Sequence, residues 1–252
     1  MQNRAVLIAI NQYPGAPLEG CINDQINVGN LLRDHGYLDQ EIRRLRDRDC
    51  TTQNILDVLG WLVSGPEPVR ALFHFSGHGT LVNDIDNYDA LCPVDFDWSM
   101  EHMITDRQLV PLLGRMPKGS IFGWISDSCH SGSLAQVERG LVGHNHPRSY
   151  PIPTHKPKTL MLSRGPSRSI TNGILDCGFI SGCRSDQTSS DTRIDGQPCG
   201  AATYYITKAI RAYPMHPITM ITREANDMLR QAGYSQQPCC FGTQIDQPFL
   251  GA

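Results

Sequence analysis

Short apolar runs alternate with stretches of helical periodicity, and this alternation narrows the possible folds more than any other feature. Residues 4–10 make the first run, which suits a buried strand. Residues 70–75 and 120–126 repeat it. Between the first two runs lie two amphipathic stretches. One is capped by Asn23 or Asp24 and reaches about His35, with Ile26, Leu31 and Leu32 on its apolar side and Gly36 as its stop. The other starts at Thr51 or Thr52 and continues through Leu62. Ile55, Val58, Leu59 and Leu62 recur at helical spacing, and Gly65-Pro66 follows. Residues 106–113 supply a third, shorter helix. Strands alternating with helices predict an α/β fold with a mostly parallel sheet and crossover helices.

The second half is less regular. Residues 135–172 are rich in His, Pro, Arg, Lys and Ser with little periodicity, which predicts a long exposed loop. Structure is expected to resume at 159–162 and 174–180. Residues 184–200 read as a polar loop, 201–212 and 218–232 as helices separated by Tyr213-Pro214, and 235–252 as an irregular tail.

The bulk properties exclude several classes. A chain of 252 residues can bury one large α/β core, and a single domain is expected. A formal net charge of -3, with Lys and Arg scattered, gives no footprint for nucleic acid or an anionic membrane. The apolar run near the N-terminus is too short for a signal peptide or a membrane span, so a cytosolic location is the expectation. Nine cysteines, odd in number and irregularly spaced, read as reduced thiols rather than a disulfide framework.

Two apolar runs end in reactive side chains. Leu72-Phe73-His74-Phe75 leads into Ser76-Gly77-His78-Gly79, and Ile121-Phe122-Gly123-Trp124-Ile125 leads into Ser126-Asp127-Ser128-Cys129-His130-Ser131-Gly132. In a parallel sheet, substrates bind beyond the carboxyl ends of the strands, so both segments should deliver these residues to one edge. A thiolate is the working nucleophile of a cysteine enzyme, and a nearby imidazole can generate it and then protonate a leaving amine. His78 and Cys129 are candidates for that pair. Fifty-one positions separate them, close to the roughly 50 that separate the two in caspases.

SGHG at 76–79 and DSCHSG at 127–132 resemble the metacaspases, relatives of caspases. GCIND at 20–24, YDALCPVDF at 88–96, SGCRSDQTS at 181–189 and the closing PFL at 248–250 extend the resemblance over nearly the whole chain, in the family's order. It implies a caspase-like three-layer sandwich and a cysteine endopeptidase, of the bare bacterial type with no long segment ahead of the first strand. His78 would be the general base and acid and Cys129 the nucleophile. The oxyanion hole would use backbone N–H groups of Gly79 and Cys129. It further implies cleavage after Arg or Lys, with Asp24, Asp127 and Ser76 matching the specificity pocket. An acidic pocket can hold a guanidinium bidentately and would repel a substrate carboxylate. Cys21 and Tyr13 would lie near the same cleft, as packing or substrate-edge residues. Asp24 could also serve as a helix cap. The expected partners are protein or peptide substrates with a basic P1 residue. A monomer is implied because extra strands cover the sheet edge that caspases use to dimerise.

No cofactor is needed for this chemistry. Many metacaspases require Ca²⁺, and the acid-rich stretch Asp84, Asp86, Asp89, Asp95 and Asp97, with Asp106, invites such a site. The family's pair of adjacent acids, however, corresponds to Thr105-Asp106, and a further ligand to Gln136. With two carboxylates missing, the expectation is a solvated acidic surface. His144, His146 and His155 lack metal-ligand spacing. The basic residues of 135–172, Arg139, Arg148, Lys156, Lys158, Arg164 and Arg168, are places where such a peptidase could cut itself.

Overall fold

The computed structural model describes residues 1–82, 88–128, 146–148, 176–184 and 187–250. Its centre is a six-stranded sheet. β1 (Gln2–Ala9), β2 (Ile42–Arg46), β3 (Val69–Ser76), β7 (Ile121–Asp127), β9 (Gly178–Ser181) and β12 (Cys239–Phe241) lie in the order β12-β9-β7-β3-β1-β2. All neighbours are parallel except β12, which runs antiparallel to β9.

Alternation along these strands sends side chains to two cores. Val6, Ile8, Phe73, Phe75, Phe122 and Trp124 face α2 (Thr52–Leu62) and α3 (Asp106–Leu113). Ala5, Leu7, Leu72, Ile125 and Ile180 face α1 (Cys21–Asp34), α4 (Ala201–Ala212) and α5 (Ile218–Gln231). Strands buried on both sides carry near-continuous apolar sequence, which is why these runs stand out in the chain. The result is the expected three-layer caspase-like arrangement.

Two small sheets sit above the carboxyl ends of the central strands. One contains β4 (Gly79–Val82), β5 (Tyr88–Leu91) and β6 (Ile104–Thr105) in that order. The other is ordered β11-β10-β8, from β8 (His146–Pro147), β10 (Ser190–Ile194) and β11 (Gln197–Gly200).

The helix starting at Thr52 is as expected, with Thr51 Oγ1 accepting from the Asn54 N–H. The helices at 106–113 and 201–212 also begin and end as predicted. Four expectations are corrected. α1 begins three residues earlier, so Asp24 lies within the first turn instead of capping it. Residues 184–200 hold the β10–β11 hairpin, turning at Asp195-Gly196, both at positive φ (52° and 78°), and the tail holds β12. Within 135–172, residues 146–148 form an ordered strand segment, and Arg148 is fully buried rather than exposed. The rest of that stretch, including 159–162, lies outside the described residues.

Trp124 packs between Phe73 and Phe179, with ring centroids 5.3 and 4.6 Å away. Trp124→Ala should cost about 3–5 kcal/mol of folding free energy, read as a lowered midpoint in urea unfolding followed by circular dichroism.

Candidate active site

The register of the central sheet brings the two reactive segments together. Ser76, the last residue of β3, pairs with Asp127, the last of β7. His78 lies two residues beyond Ser76 in the sequence, and Cys129 two beyond Asp127. The Gly77 N–H donates to the Asp127 carbonyl at 3.4 Å, extending the pairing one step beyond the strands. Cys129 itself lies outside the described residues, next after Ser128.

His78 is held from three sides. Its backbone N–H donates to the Tyr13 hydroxyl at 3.0 Å, and that hydroxyl donates to the Cys92 carbonyl at 2.7 Å. The two rings lie 4.5 Å apart. Nε2 is 2.7 Å from the Ala16 carbonyl, which can only accept, so Nε2 carries the hydrogen. In the neutral ring Nδ1 is then the basic nitrogen. Burial pulls the pKa of His78 down, against the carbonyls of Ala16 and Arg148, which favour the charged form. At neutral pH His78 is therefore poised to accept a proton. A Cβ on Gly77 would meet the Tyr13 oxygen and the Phe75 ring, so glycine is required where the chain passes them. Tyr13, expected only near the cleft, positions this histidine.

Beside His78 lies a pocket of three buried carboxylates. Asp24 comes from α1, Asp127 from β7 and Asp191 from β10. Each is anchored by backbone N–H groups of another element. Asp24 Oδ1 accepts from Gly200 at 2.8 Å. Asp127 Oδ2 accepts from the N–H and hydroxyl of Thr203, at 2.9 and 2.8 Å, in the first turn of α4, where the helix dipole favours an anion. Its Oδ1 takes a short hydrogen bond from Ser189. Asp191 accepts from Glu19 and Gly20 at 2.7 and 3.0 Å.

The guanidinium of Arg148 fills this pocket. Nη2 lies 2.7 Å from Asp24 Oδ2 and 2.9 Å from Asp191 Oδ1. Nη1 donates to Ser76 Oγ at 2.6 Å and to the Asp127 carbonyl at 3.1 Å, and lies 3.6 Å from Asp127 Oδ1. Ser76 in turn donates to Asp24 Oδ2 at 2.7 Å. Burial alone would make the guanidinium easier to deprotonate, but the surrounding acids outweigh it and push its pKa up. Burial and the nearby Asp127 push Asp24 up to about 6, against the pull of Arg148. For Asp127, burial pushes upward too, but Arg148, Ser189 and Thr203 more than offset it and its pKa is lowered. Cys21 lies in the same surroundings with its pKa pushed up to about 12, chiefly by burial, so it remains a neutral thiol.

Asp24, Asp127 and Ser76 are thus brought together as expected, with Cys21 close by. Asp191 and Gly200 were not among the sequence candidates. The signal that could have found them is the Asp195-Gly196 pair, a strong hairpin mark, which converts the supposed loop into strands with alternating faces. Of the acid-rich stretch, Asp84 and Asp86 lie outside the described residues, and Asp106 opens α3. The carboxylate of Asp95 is engaged by the N–H and hydroxyl of Thr52, and that of Asp97 by Ser99 and His102. Among the described residues no group of three or more His, Cys, Asp or Glu is placed to hold a metal ion.

A cysteine-peptidase fold with this edge has close parallels. The caspase-domain family, Peptidase_C14, matches residues 2–250, and the chain belongs to it. It is a cysteine-type peptidase of that family, and its curated relatives are metacaspases. Metacaspase-1 of Mycosarcoma maydis is 30% identical over 281 residues, covering 94% of this chain and 69% of that protein. Metacaspase-1 of Scheffersomyces stipitis is 28% identical, covering 94% and 70%. Among solved structures, protein GSU0716 from Geobacter sulfurreducens shares the fold with a TM-score of 0.71 and 18% identity, over 99% of this chain and 98% of that one. No helix among the described residues is long and apolar enough to cross a membrane.

A Cβ on Gly200 would strike the Asp127 carboxylate and approach Asp24 and the Arg148 guanidinium at 2.7 and 2.8 Å. Gly200→Ala should raise KM for an arginyl peptide about 5- to 150-fold, since overpacking costs about 1–3 kcal/mol. Steady-state kinetics on a protein with an unchanged circular dichroism spectrum checks it.

Proposed function

We propose that this protein is an endopeptidase that cleaves peptide bonds after arginine, and less readily after lysine, through a His78–Cys129 dyad. The observation that carries this reading is the arginine side chain held by Asp24, Asp127, Asp191 and Ser76 beside His78. Arg148 uses both terminal nitrogens, each with separate acceptors. An ammonium group is a point charge and cannot span both sets, which favours arginine.

The chemistry follows from the geometry. The pocket fixes the side chain of the residue before the scissile bond. The Gly79 N–H points at that residue's carbonyl, donating to the Arg148 oxygen at 3.1 Å, and would stabilise the negative charge that develops there. His78 takes the thiol proton of Cys129 and returns it to the departing amine. Cys129 supplies the nucleophile and, with Gly79, the second backbone donor. The side chains needed for each step come from this chain alone, so a monomer acting on protein substrates suffices for the chemistry.

Cys129→Ala should abolish cleavage of a fluorogenic arginyl peptide. Asp191→Asn should lower kcat/KM for it by about 2–5 kcal/mol, the usual cost of leaving a buried charge pair incomplete, while an aspartyl peptide stays uncut by either form. Turnover of the aspartyl peptide in preference to the arginyl one would overturn the proposal. Calcium chelation should leave the rate unchanged.

The pocket also sets a pH dependence. A carboxyl with a raised pKa loses its charge as pH falls through that value. With a guanidinium bound, Asp24 titrates near 6. Without the cation, burial and the neighbouring acid hold it higher still, so KM for the arginyl peptide should climb as pH falls toward 6 and level off below it. Asp24→Asn should weaken binding throughout and remove that part of the acid limb. KM profiles between pH 5 and 8 for both forms check this.

A further inference from the structure

Much of what orients His78 comes from one loop. Residues 11–20 run from the end of β1 to α1 and form neither helix nor strand. They supply the Tyr13 hydroxyl to the His78 N–H and the Ala16 carbonyl to Nε2. A loop without its own ladder takes its shape from whatever holds its ends. At the far end the Asn11 side chain clips it shut. Asn11 Oδ1 accepts from the Cys21 N–H at 2.9 Å, and Nδ2 donates to the Glu19 carbonyl at 3.1 Å.

The near end is held from β2. Parallel pairing of β1 with β2 stops at Ala9 and Arg46. The residue after Arg46 is Asp47, at φ 44°, a left-handed conformation uncommon outside glycine. The Cys50 N–H donates to the Asp47 carbonyl at 2.9 Å and closes that turn. The turn carries the Asp47 carboxylate to the chain leaving β1. There its Oδ1 accepts from the N–H groups of both Asn11 and Gln12, at 2.7 and 2.9 Å. Hydrogen bonds to an ionised acceptor are the stronger kind. Asp47 thus takes over where the ladder ends, and Tyr13 is the next residue.

We infer that Asp47 is a positioning residue for catalysis. Its carboxylate fixes the entry of loop 11–20 and acts on His78 through Tyr13 and Ala16. With the Ala16 carbonyl in place, Nε2 keeps its hydrogen, Nδ1 remains the basic nitrogen, and the imidazolium formed when it takes a proton is stabilised. With the loop loosened, that stabilisation is lost and the thiolate forms only at higher pH. The inference rests on the reading of His78 and Cys129 as the working dyad.

The carboxylate and the backbone conformation can be tested apart. Asp47→Gly removes the acceptor, and glycine takes a positive φ without strain. Asp47→Asn keeps an oxygen acceptor, and asparagine tolerates the same conformation. Both are measured by steady-state kinetics on an arginyl peptide and by the pH dependence of Cys129 alkylation with iodoacetamide, with Cys129→Ala as the blank. Asp47→Gly should lower kcat about 10- to 100-fold, the scale of loss from a misplaced catalytic group. Its KM should change less, and its alkylation should need a higher pH. Asp47→Asn should recover most of the rate and the wild-type alkylation profile. A wild-type kcat and alkylation profile in Asp47→Gly overturns the inference, as does a loss that Asp47→Asn fails to reverse. Residue-resolved amide hydrogen exchange on the wild type needs no variant. The Asn11 and Gln12 amides should exchange as slowly as those of β1, and rapid exchange at both overturns the anchor. If Cys129→Ala still cleaves the peptide, the dyad reading falls and the inference with it. If Cys129→Ala is inert and Asp47→Gly is normal, only the inference falls.

Discussion

A buried carboxylate is costly, and three facing one another are tolerable only if the surroundings supply the missing positive charge. Here that supply comes in two layers. Backbone N–H groups of Gly200, Thr203, Glu19 and Gly20 hold the acids in place, and a guanidinium completes the neutralisation. Because each acid belongs to one element and its anchoring donors to another, the pocket joins α1, β7, β10 and α4 where their ends converge. The elevated pKa of Asp24 is what remains of its burial, and of repulsion by Asp127, after both layers have acted. The pocket is thus both a recognition device and a junction of the fold, and a basic side chain is part of its construction.

The central sheet determines where this junction can lie. Pairing of Ser76 with Asp127 sets two adjacent strand ends at the same height. Each end then contributes a pocket residue at the last strand position, and His78 follows two places after Ser76. A one-residue slip of β3 against β7 would turn every side chain of one strand to the other face and separate Ser76 from Asp127. The apolar packing of Phe73 on Trp124 and of Trp124 on Phe179 resists such a slip. Core packing far from the edge therefore governs the alignment of Ser76 with Asp127.

What could be read from the chain follows the same physics. β1, β3 and β7 are buried on both faces, so they announce themselves as apolar runs, and their ends marked His78, Ser76 and Asp127 directly. α3 and α4 were legible to the residue because their periodicity is complete. β10 and β11 were not, because a short hairpin over a polar pocket carries Asp, Thr, Gln and Gly where a core strand would carry Val or Ile. β2, with three arginines among five residues, was hidden for a similar reason: it lies at the sheet edge and is only partly buried. Arg148 was the hardest to place. A charged residue among His, Pro and Ser reads as solvated, and only the three-dimensional meeting of Asp24, Asp127 and Asp191 makes its burial favourable.

That last case shows how burial of charge and specificity are linked in this protein. Lone buried arginines are rare because desolvation is not repaid. In this pocket the repayment comes from acids that are themselves destabilised when no cation is present. Each makes the other tolerable, and removing either leaves the partner buried and uncompensated. For a pocket of this kind, being empty carries a cost beside the strength of its contacts. An apolar or acidic side chain would have to leave all three carboxylates unneutralised, whereas a guanidinium meets four separate acceptors through two nitrogens. The same consideration explains why Ser76, with no charge of its own, belongs to the pocket. Its hydroxyl accepts from one guanidinium nitrogen and donates to Asp24, the carboxylate that the other nitrogen meets directly.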